Sequence, residues 1–358
     1  MKSEYAERRE ALARNIAGLR LDALLVTAVP NVRYLSGFTG SNAALLATGN
    51  GSILFTDPRY ATQAPRETDC QVVIARGPLT REVGKRLKRR RIRSVGFEQN
   101  RISFQEWEEL KSNLPGTRLK PVGGAVENLR TVKSDAEIAT IRASVQVNSA
   151  ALEQSLEQFT PAMTEQDLAA EIEYRMRLLG AERTAFETIV ASGERTALPH
   201  AHPTDHPIEN NQLLLVDMGA SVAGYASDMT RTHALGKLEP KVRRMYQAVL
   251  ESQLAAIDAV RPGISSVGVD RAARRVLRGY GLDKLFVHST GHGLGLEIHE
   301  PPRIGRNQGT KLEAGMVITI EPGVYQEGLG GIRIEDTVVV TARGCEVLTP
   351  TGKELVVL

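Results

Sequence analysis

Apolar and polar positions repeat along this chain with different periods, and the change of period divides it. Up to residue 125, short apolar runs (ALLVTA at 23–28, AALLAT at 43–48, SILFT at 52–56, QVVIA at 71–75 and SVGFE at 94–98) read as strands. Between them, EYAERREALARNIAGL, REVGKRLKRR and SFQEWEELKSNL place apolar residues at helical spacing. That alternation predicts a small α/β domain with a mixed sheet over 1–125. Pro115, Gly116, Pro121, Gly123 and Gly124 punctuate its end, and 126–134 reads as a linker.

Beyond the linker the helices lengthen. Ser134 and Glu137 form a capping box ahead of Ile138, Ile141, Val145, Leu152, Leu156 and Phe159, which share one face. Thr164 and Asp167 open a second helix through Leu168, Ile172, Met176 and Leu179, and Gly180 ends it. Two more helices are expected, at about 240–260 and at 271–281. The remaining apolar stretches read as strands. Residues 135–358 therefore predict an α+β domain with helices on one side of a largely antiparallel, curved sheet.

Composition changes this picture little. With 358 residues two domains are favoured, and 42% hydrophobic with 24% charged residues is ordinary for a globular chain. The two cysteines, Cys70 and Cys345, fall one in each domain and give no disulfide framework. No run of 18 apolar residues occurs, and the opening MKSEYAERREALARN is charged, so no membrane association and a cytoplasmic location are expected. A net charge of +3 does not argue for nucleic acid. The basic run KRLKRRRIRS at 85–94 lacks interleaved aromatics and reads as a solvated helix end.

Candidate chemistry is concentrated near the carboxyl-terminal end. Asp217 (LLLVDMG), Asp228 (YASDMTRT), His292 (STGHGLG), Glu321 (VITIEPG) and Glu335 (IRIEDTVVV) each sit in an apolar or glycine-rich stretch. Carboxylates crowded away from water repel one another and hold protons unless positive charge enters. Two divalent cations would balance four carboxylates. Asp217 and Asp228 are 11 positions apart, so a hairpin turn centred between Val222 and Ala223 would set them face to face. Glu321 and Glu335 are 14 apart about Gly328, which predicts a second facing pair. Glycines flank His292 and permit close approach. One imidazole with several carboxylate oxygens and no thiolate suits Mn²⁺ first, with Co²⁺ or Zn²⁺ as alternatives.

The stretches SGERTALPHAHPTDHPIE, LLLVDMGASVAGYASDMTRT, HSTGHGLGLEIHEPPRI, GMVITIEPGVY and GIRIEDTVVVT resemble the dinuclear metallopeptidases of the pita-bread fold, most of all the Xaa-Pro dipeptidases (prolidases) and aminopeptidases P. The resemblance covers 130–358, and PNVRYLSGFTGSNAALL with ILFTDPRYATQA extends it to the family's smaller amino-terminal domain. It implies a pita-bread (creatinase/aminopeptidase-like) catalytic domain preceded by a creatinase-type domain. It also implies two metal ions, bridged by Asp228 and Glu335, with Asp217 on one and His292 and Glu321 on the other. Glu321 would relay a proton, His299 would meet the scissile carbonyl, and His200 of ALPH would bind substrate near the scissile bond. Arg303 would meet the free carboxylate of a dipeptide. Arg333 alternates with Glu335, so both face one side, where its forked donors could orient carboxylates. His233 stands where the family more usually has an apolar or aromatic residue, and His202, His206 and His288 carry no assigned role.

The implied reaction is hydrolysis of the bond between an N-terminal residue and proline, leaning to Xaa-Pro dipeptides, in a homodimer. Aminopeptidase P action on longer peptides with proline second is the alternative. Metal-free relatives that act as binding modules form a further class, but those usually lose ligands, and all five are present here.

Overall fold

The computed structural model describes residues 3–160, 162–307 and 309–358. The chain divides into two compact units, Met1–Arg130 and Thr131–Leu358, and the division falls inside the stretch read as a linker.

In the first unit α1 (Glu4–Gly18), β1 (Ala23–Val26), α2 (Val29–Ser36), β2 (Ala43–Thr48), β3 (Gly51–Thr56), α3 (Ala64–Glu67), β4 (Gln71–Ile74), α4 (Leu79–Arg90), β5 (Ser94–Glu98), α5 (Phe104–Asn113), β6 (Arg118–Val122) and α6 (Glu127–Arg130) follow in order. The sheet runs β4-β3-β2-β1-β5-β6 and is mixed, as the alternation of periods predicts. Four elements escaped the pattern: α2, β6 and the four-residue helices α3 and α6. α2 begins at Val29-Pro30, where proline suits the first helical turn. β6 carries Pro121, which is tolerated because β6 is an edge strand. In α4, Val83 and Leu87 face the core while Lys88, Arg89 and Arg90 stay in solvent, so the basic run is a solvated helix end.

The second unit contains α7 (Asp135–Glu157), α8 (Glu165–Leu178), β7 (Arg183–Thr184), β8 (Ile189–Ser192), β9 (Gln212–Met218), β10 (Ala220–Val222), β11 (Tyr225–Ala226), β12 (Met229–Leu235), α9 (Pro240–Ala259), α10 (Ser266–Gly279), β13 (Gly291–Gly293), β14 (Glu300–Ile304), β15 (Val317–Ile320), β16 (Gly323–Gln326), β17 (Gly330–Arg333), β18 (Asp336–Val340) and β19 (Cys345–Val347). The capping boxes at Ser134 and Thr164 form as the sequence predicts. α10 begins five residues earlier than expected, because the Ser265 side chain accepts from the Gly268 N–H and caps it there.

Two helix-on-sheet halves result. Leu152, Leu168, Ile172 and Met176 of α7 and α8 pack on Leu214 and Val216 of β9. Val249, Val269, Ala273 and Leu277 of α9 and α10 pack on Ile318 and Ile320 of β15 and Val338 of β18. Named strand pairs in this unit are antiparallel. The halves join where β12 runs beside 333–335: the Glu335 N–H donates to the Thr230 carbonyl, and Thr232 Oγ1 donates to the Arg333 carbonyl. That layered plan is the pita-bread fold.

Candidate metal centre

Strand register decides how the four acids meet. β9 and β12 pair Met218 with Met229 and Asp217 with Thr230. Carried one step on, that register sets Asp228 opposite Gly219, so Asp217 and Asp228 are diagonal neighbours and do not face each other. The turn lies at Ala223-Gly224, both with positive φ (46° and 81°), one residue later than equal spacing predicts. A two-residue turn of this kind takes glycine at its second position, and Gly224 decides it. The second pair keeps the expected register. Ile320 pairs with Asp336 on one ladder and Gly323 with Arg333 on the next, and either ladder extended puts Glu321 opposite Glu335. Between the ladders the backbones part, the Glu321 N–H donating to the Thr290 carbonyl and the Glu335 N–H to that of Thr230.

His292 lies at the centre of β13, with β14 on one side and β15 on the other. Its flanking glycines are required by those neighbours: a Cβ on Gly291 would stand 1.9 Å from the Thr319 carbonyl oxygen, and one on Gly293 would stand 2.3 Å from that of Pro301. Arg303 is in β14 opposite His292. Pro301 and Pro302 disguise that strand in the sequence, and β14 tolerates them as an edge.

Asp228, His292 and Glu335 each bring a ligand atom within 4.8 Å of the others. His292 Nε2 is 3.5 Å from both Asp228 Oδ2 and Glu321 Oε1. Asp217 reaches the cluster through Arg333, whose Nη2 donates to Asp217 Oδ2 at 2.6 Å, while Asp217 Oδ1 is buried with no partner among the described residues. Burial and the neighbouring carboxylates push Asp228 and Glu335 well above the usual carboxylate range. Burial lifts Glu321 to about 8 against the pull of Arg333. Burial, helped by His299, lowers His292 to about 4, leaving a neutral imidazole fit to ligate. An unpartnered carboxylate oxygen, a neutral imidazole and crowded acids are the donor set a pair of divalent ions fits.

Side chains that sequence reasoning did not single out hold this set in place. Thr230 Oγ1 donates to Glu335 Oε2 (2.7 Å) and accepts from Arg333 Nε (3.0 Å). Arg333 Nη1 donates to the Tyr325 hydroxyl at 2.6 Å, so the phenolic proton points to His288 Nε2 at 2.9 Å. His288 is then protonated on Nδ1, which donates to the Ser289 carbonyl. Arg231 donates to the carbonyls of Thr230 and Glu335 and to Asp336 Oδ1. Alternation supplied a usable signal for Thr230, two residues after Asp228 on the same face. Tyr325 had none.

A cavity of about 730 Å³ opens over the acids. His200, His299 and Arg303 line it with the five ligand candidates and Arg333. His200 and His299 are exposed to it, and the His299 ring stands edge-on to His292 with centroids 4.4 Å apart. Burial and nearby His200 hold His299 below its ordinary value. His202, also on the cavity wall, meets Glu187 at 3.1 Å, whereas His206 is exposed outside it. His233 is buried in β12, away from the cavity.

Acids gathered at the seam of two helix-covered antiparallel half-sheets, over an open cavity, define a hydrolase built around metal ions. Comparison with known proteins agrees. The model of metallopeptidase family M24 matches residues 139–342, and that of the creatinase/prolidase N-terminal domain matches 8–132. A Xaa-Pro dipeptidase from Pyrococcus horikoshii is 37% identical over 337 residues, 94% of this chain and 95% of that one. The structure of a Xaa-Pro dipeptidase from Bacillus anthracis superposes with a TM-score of 0.96 at 37% identity, covering 99% of this chain and 100% of that one. An X-Pro aminopeptidase structure from Thermotoga maritima gives 0.90 at 35% identity, covering 96% and 100%. The chain belongs to metallopeptidase family M24. Among the described residues no helix is long and apolar enough to cross a membrane.

Proposed function

We propose that the protein hydrolyses the bond between an N-terminal residue and proline, with dipeptides as its preferred substrates. The observation that carries this is the convergence of Asp228, His292 and Glu335 beneath a cavity that also presents His200, His299 and Arg303. Asp217, Asp228, His292, Glu321 and Glu335 would hold two divalent ions. Mn²⁺ suits this oxygen-rich set first, with Co²⁺ or Zn²⁺ as alternatives. When bound, the ions supply the positive charge that acidifies a water and polarises the scissile carbonyl.

The chain's own residues do the rest. Glu321 takes the proton of the attacking water and carries it toward the departing proline nitrogen. His299 donates a hydrogen bond that strengthens as charge develops on the carbonyl oxygen. His200 orients the substrate backbone. Arg333 fixes Asp217 in one rotamer through its 2.6 Å contact. Arg303, exposed on the wall and among the described residues engaged only through its Nε, by Ser289 Oγ, offers its fork to the free carboxylate of a dipeptide. The names of relatives with TM-scores of 0.96 and 0.90 support proline in the second position, and Arg303 supports the shorter substrate. A cytoplasmic homodimer accompanies this reading.

Comparison of Ala-Pro with Ala-Pro-Ala after Mn²⁺ reconstitution tests it. The dipeptide is expected to be hydrolysed and the tripeptide to be poor. Preference for the tripeptide would assign aminopeptidase P activity instead. Fewer than one divalent ion per chain after reconstitution would remove the metal-dependent mechanism and favour a binding module. Glu321→Gln is expected to abolish cleavage while preserving the fold.

A further inference from the structure

A second cavity, of about 750 Å³, lies beside the catalytic one and shares His288, Ser289 and Arg303 with it. Its wall is cationic: Arg274, Lys284, Arg303 and Arg306 line it against a single acid, Asp283. The acid neutralises none of them, since it faces Arg278, outside the cavity, at 3.6 Å. Arg274 is committed to Asp270 and to the carbonyls of Phe286 and His288. Among the described residues Lys284 and Arg306 pair with no carboxylate, and Arg303 spends only Nε, on Ser289. Like charges gathered around one concavity focus positive potential there, and the planar forks of two arginines match the oxygens of a tetrahedral anion.

We propose that this second cavity binds a free inorganic oxyanion of the sulfate or phosphate class, and that the bound anion draws Arg303 out of the catalytic cavity. Arg303 stands on the wall between the two cavities, so its guanidinium serves one or the other. The second half of the proposal rests on Arg303 as the partner of a dipeptide carboxylate. Occupancy of the annexe would then weaken dipeptide binding without touching the metal ligands. The site acts as a sensor of anion concentration at the mouth of the enzyme.

Inorganic sulfate is the probe, titrated into the full-length, Mn²⁺-loaded protein by calorimetry, with chloride holding ionic strength constant. Wild type is expected to bind one sulfate saturably, and the double variant Lys284→Gln/Arg306→Gln to lose at least about 10-fold in affinity through two missing charge-assisted contacts. Neither residue is placed in the catalytic machinery, so the variant keeps its basal turnover of Ala-Pro. Sulfate should raise KM for Ala-Pro in wild type, leave kcat unchanged, and have little effect on the variant. Absence of saturable binding, equal affinity in the variant, or binding with an unchanged KM would overturn the proposal. If Ala-Pro is not hydrolysed at all, the reading of the catalytic cavity fails, and the calorimetric comparison alone decides whether the annexe is an anion site.

Discussion

Replacing His233 with leucine should stabilise the protein, and increasingly so as pH falls. The ring sits in β12 opposite Leu214, 5% exposed, with neither Nδ1 nor Nε2 hydrogen-bonded among the described residues. A neutral imidazole carries one donor and one acceptor, and each left unmet in a core costs about 1–3 kcal/mol. Leucine removes both groups at similar volume, and the repacking it demands gives back about 1 kcal/mol. A net gain of about 1–5 kcal/mol at pH 7 is expected. Burial, with Arg231 adding to it, holds the His233 pKa at about 4 against an ordinary 6.5. Between those values the unfolded chain binds a proton that the folded chain refuses, so wild-type stability is intact above pH 6.5 and is lost progressively down to pH 4. At pH 5 the loss amounts to about 2 kcal/mol, added to the difference at pH 7. Urea denaturation of wild type and His233→Leu at pH 7, 6 and 5, both stripped of metal, reads this directly, because the other titrations cancel in the comparison. A difference that stays constant with pH would refute the reasoning. So would a leucine variant less stable than wild type at pH 7, which would mean that the ring holds a buried water.

Three further outcomes follow from the packing around the centre. Lys133→Met, which removes the ammonium that meets Glu300 at 3.3 Å in a site where both are almost fully buried, should cost about 3–5 kcal/mol in urea denaturation, and Lys133→Met/Glu300→Gln should recover part of it. Gly291→Ala drives a methyl into the Thr319 carbonyl and displaces β13, so it should lower the melting temperature and abolish stoichiometric Mn²⁺ binding. Tyr325→Phe releases both Arg333 and His288, and loss of such a supporting contact should weaken Mn²⁺ affinity by about 10-fold in equilibrium dialysis while the fold persists.

Local signals made most of the fold legible. Capping boxes at Ser134 and Thr164 and the one-sided apolar stripes of α7 and α8 need no tertiary information, and they appear where the sequence places them. α2 and β14 did not announce themselves, because proline argues against regular structure unless the environment spares its missing N–H. Val29-Pro30 spends it at a helix start, and Pro301-Pro302 at a sheet edge. Neither circumstance is visible until the neighbours are known.

The centre shows where such reading stops. Facing register for Glu321 and Glu335 followed from a symmetric spacing about Gly328, but the same logic failed for Asp217 and Asp228, because positive φ at Ala223 and Gly224 moved the turn by one residue. The shift has a chemical consequence. A facing Asp217 would lie across the ladder from Asp228 and add its charge to the most crowded pair. Placed diagonally, it pairs instead with Arg333, leaving one oxygen engaged and the other buried and open. One cation of the chain's own therefore partly offsets four acids, and Asp228, Glu321 and Glu335 still sit above the usual carboxylate range with Arg333 in place. Substituting Arg333 removes the cation that pairs with Asp217 and also frees Asp217 to rotate, so Arg333→Met should cost more metal affinity than Tyr325→Phe. Equal losses would mean that orientation through Tyr325, and not the charge of the guanidinium, is what the centre takes from Arg333.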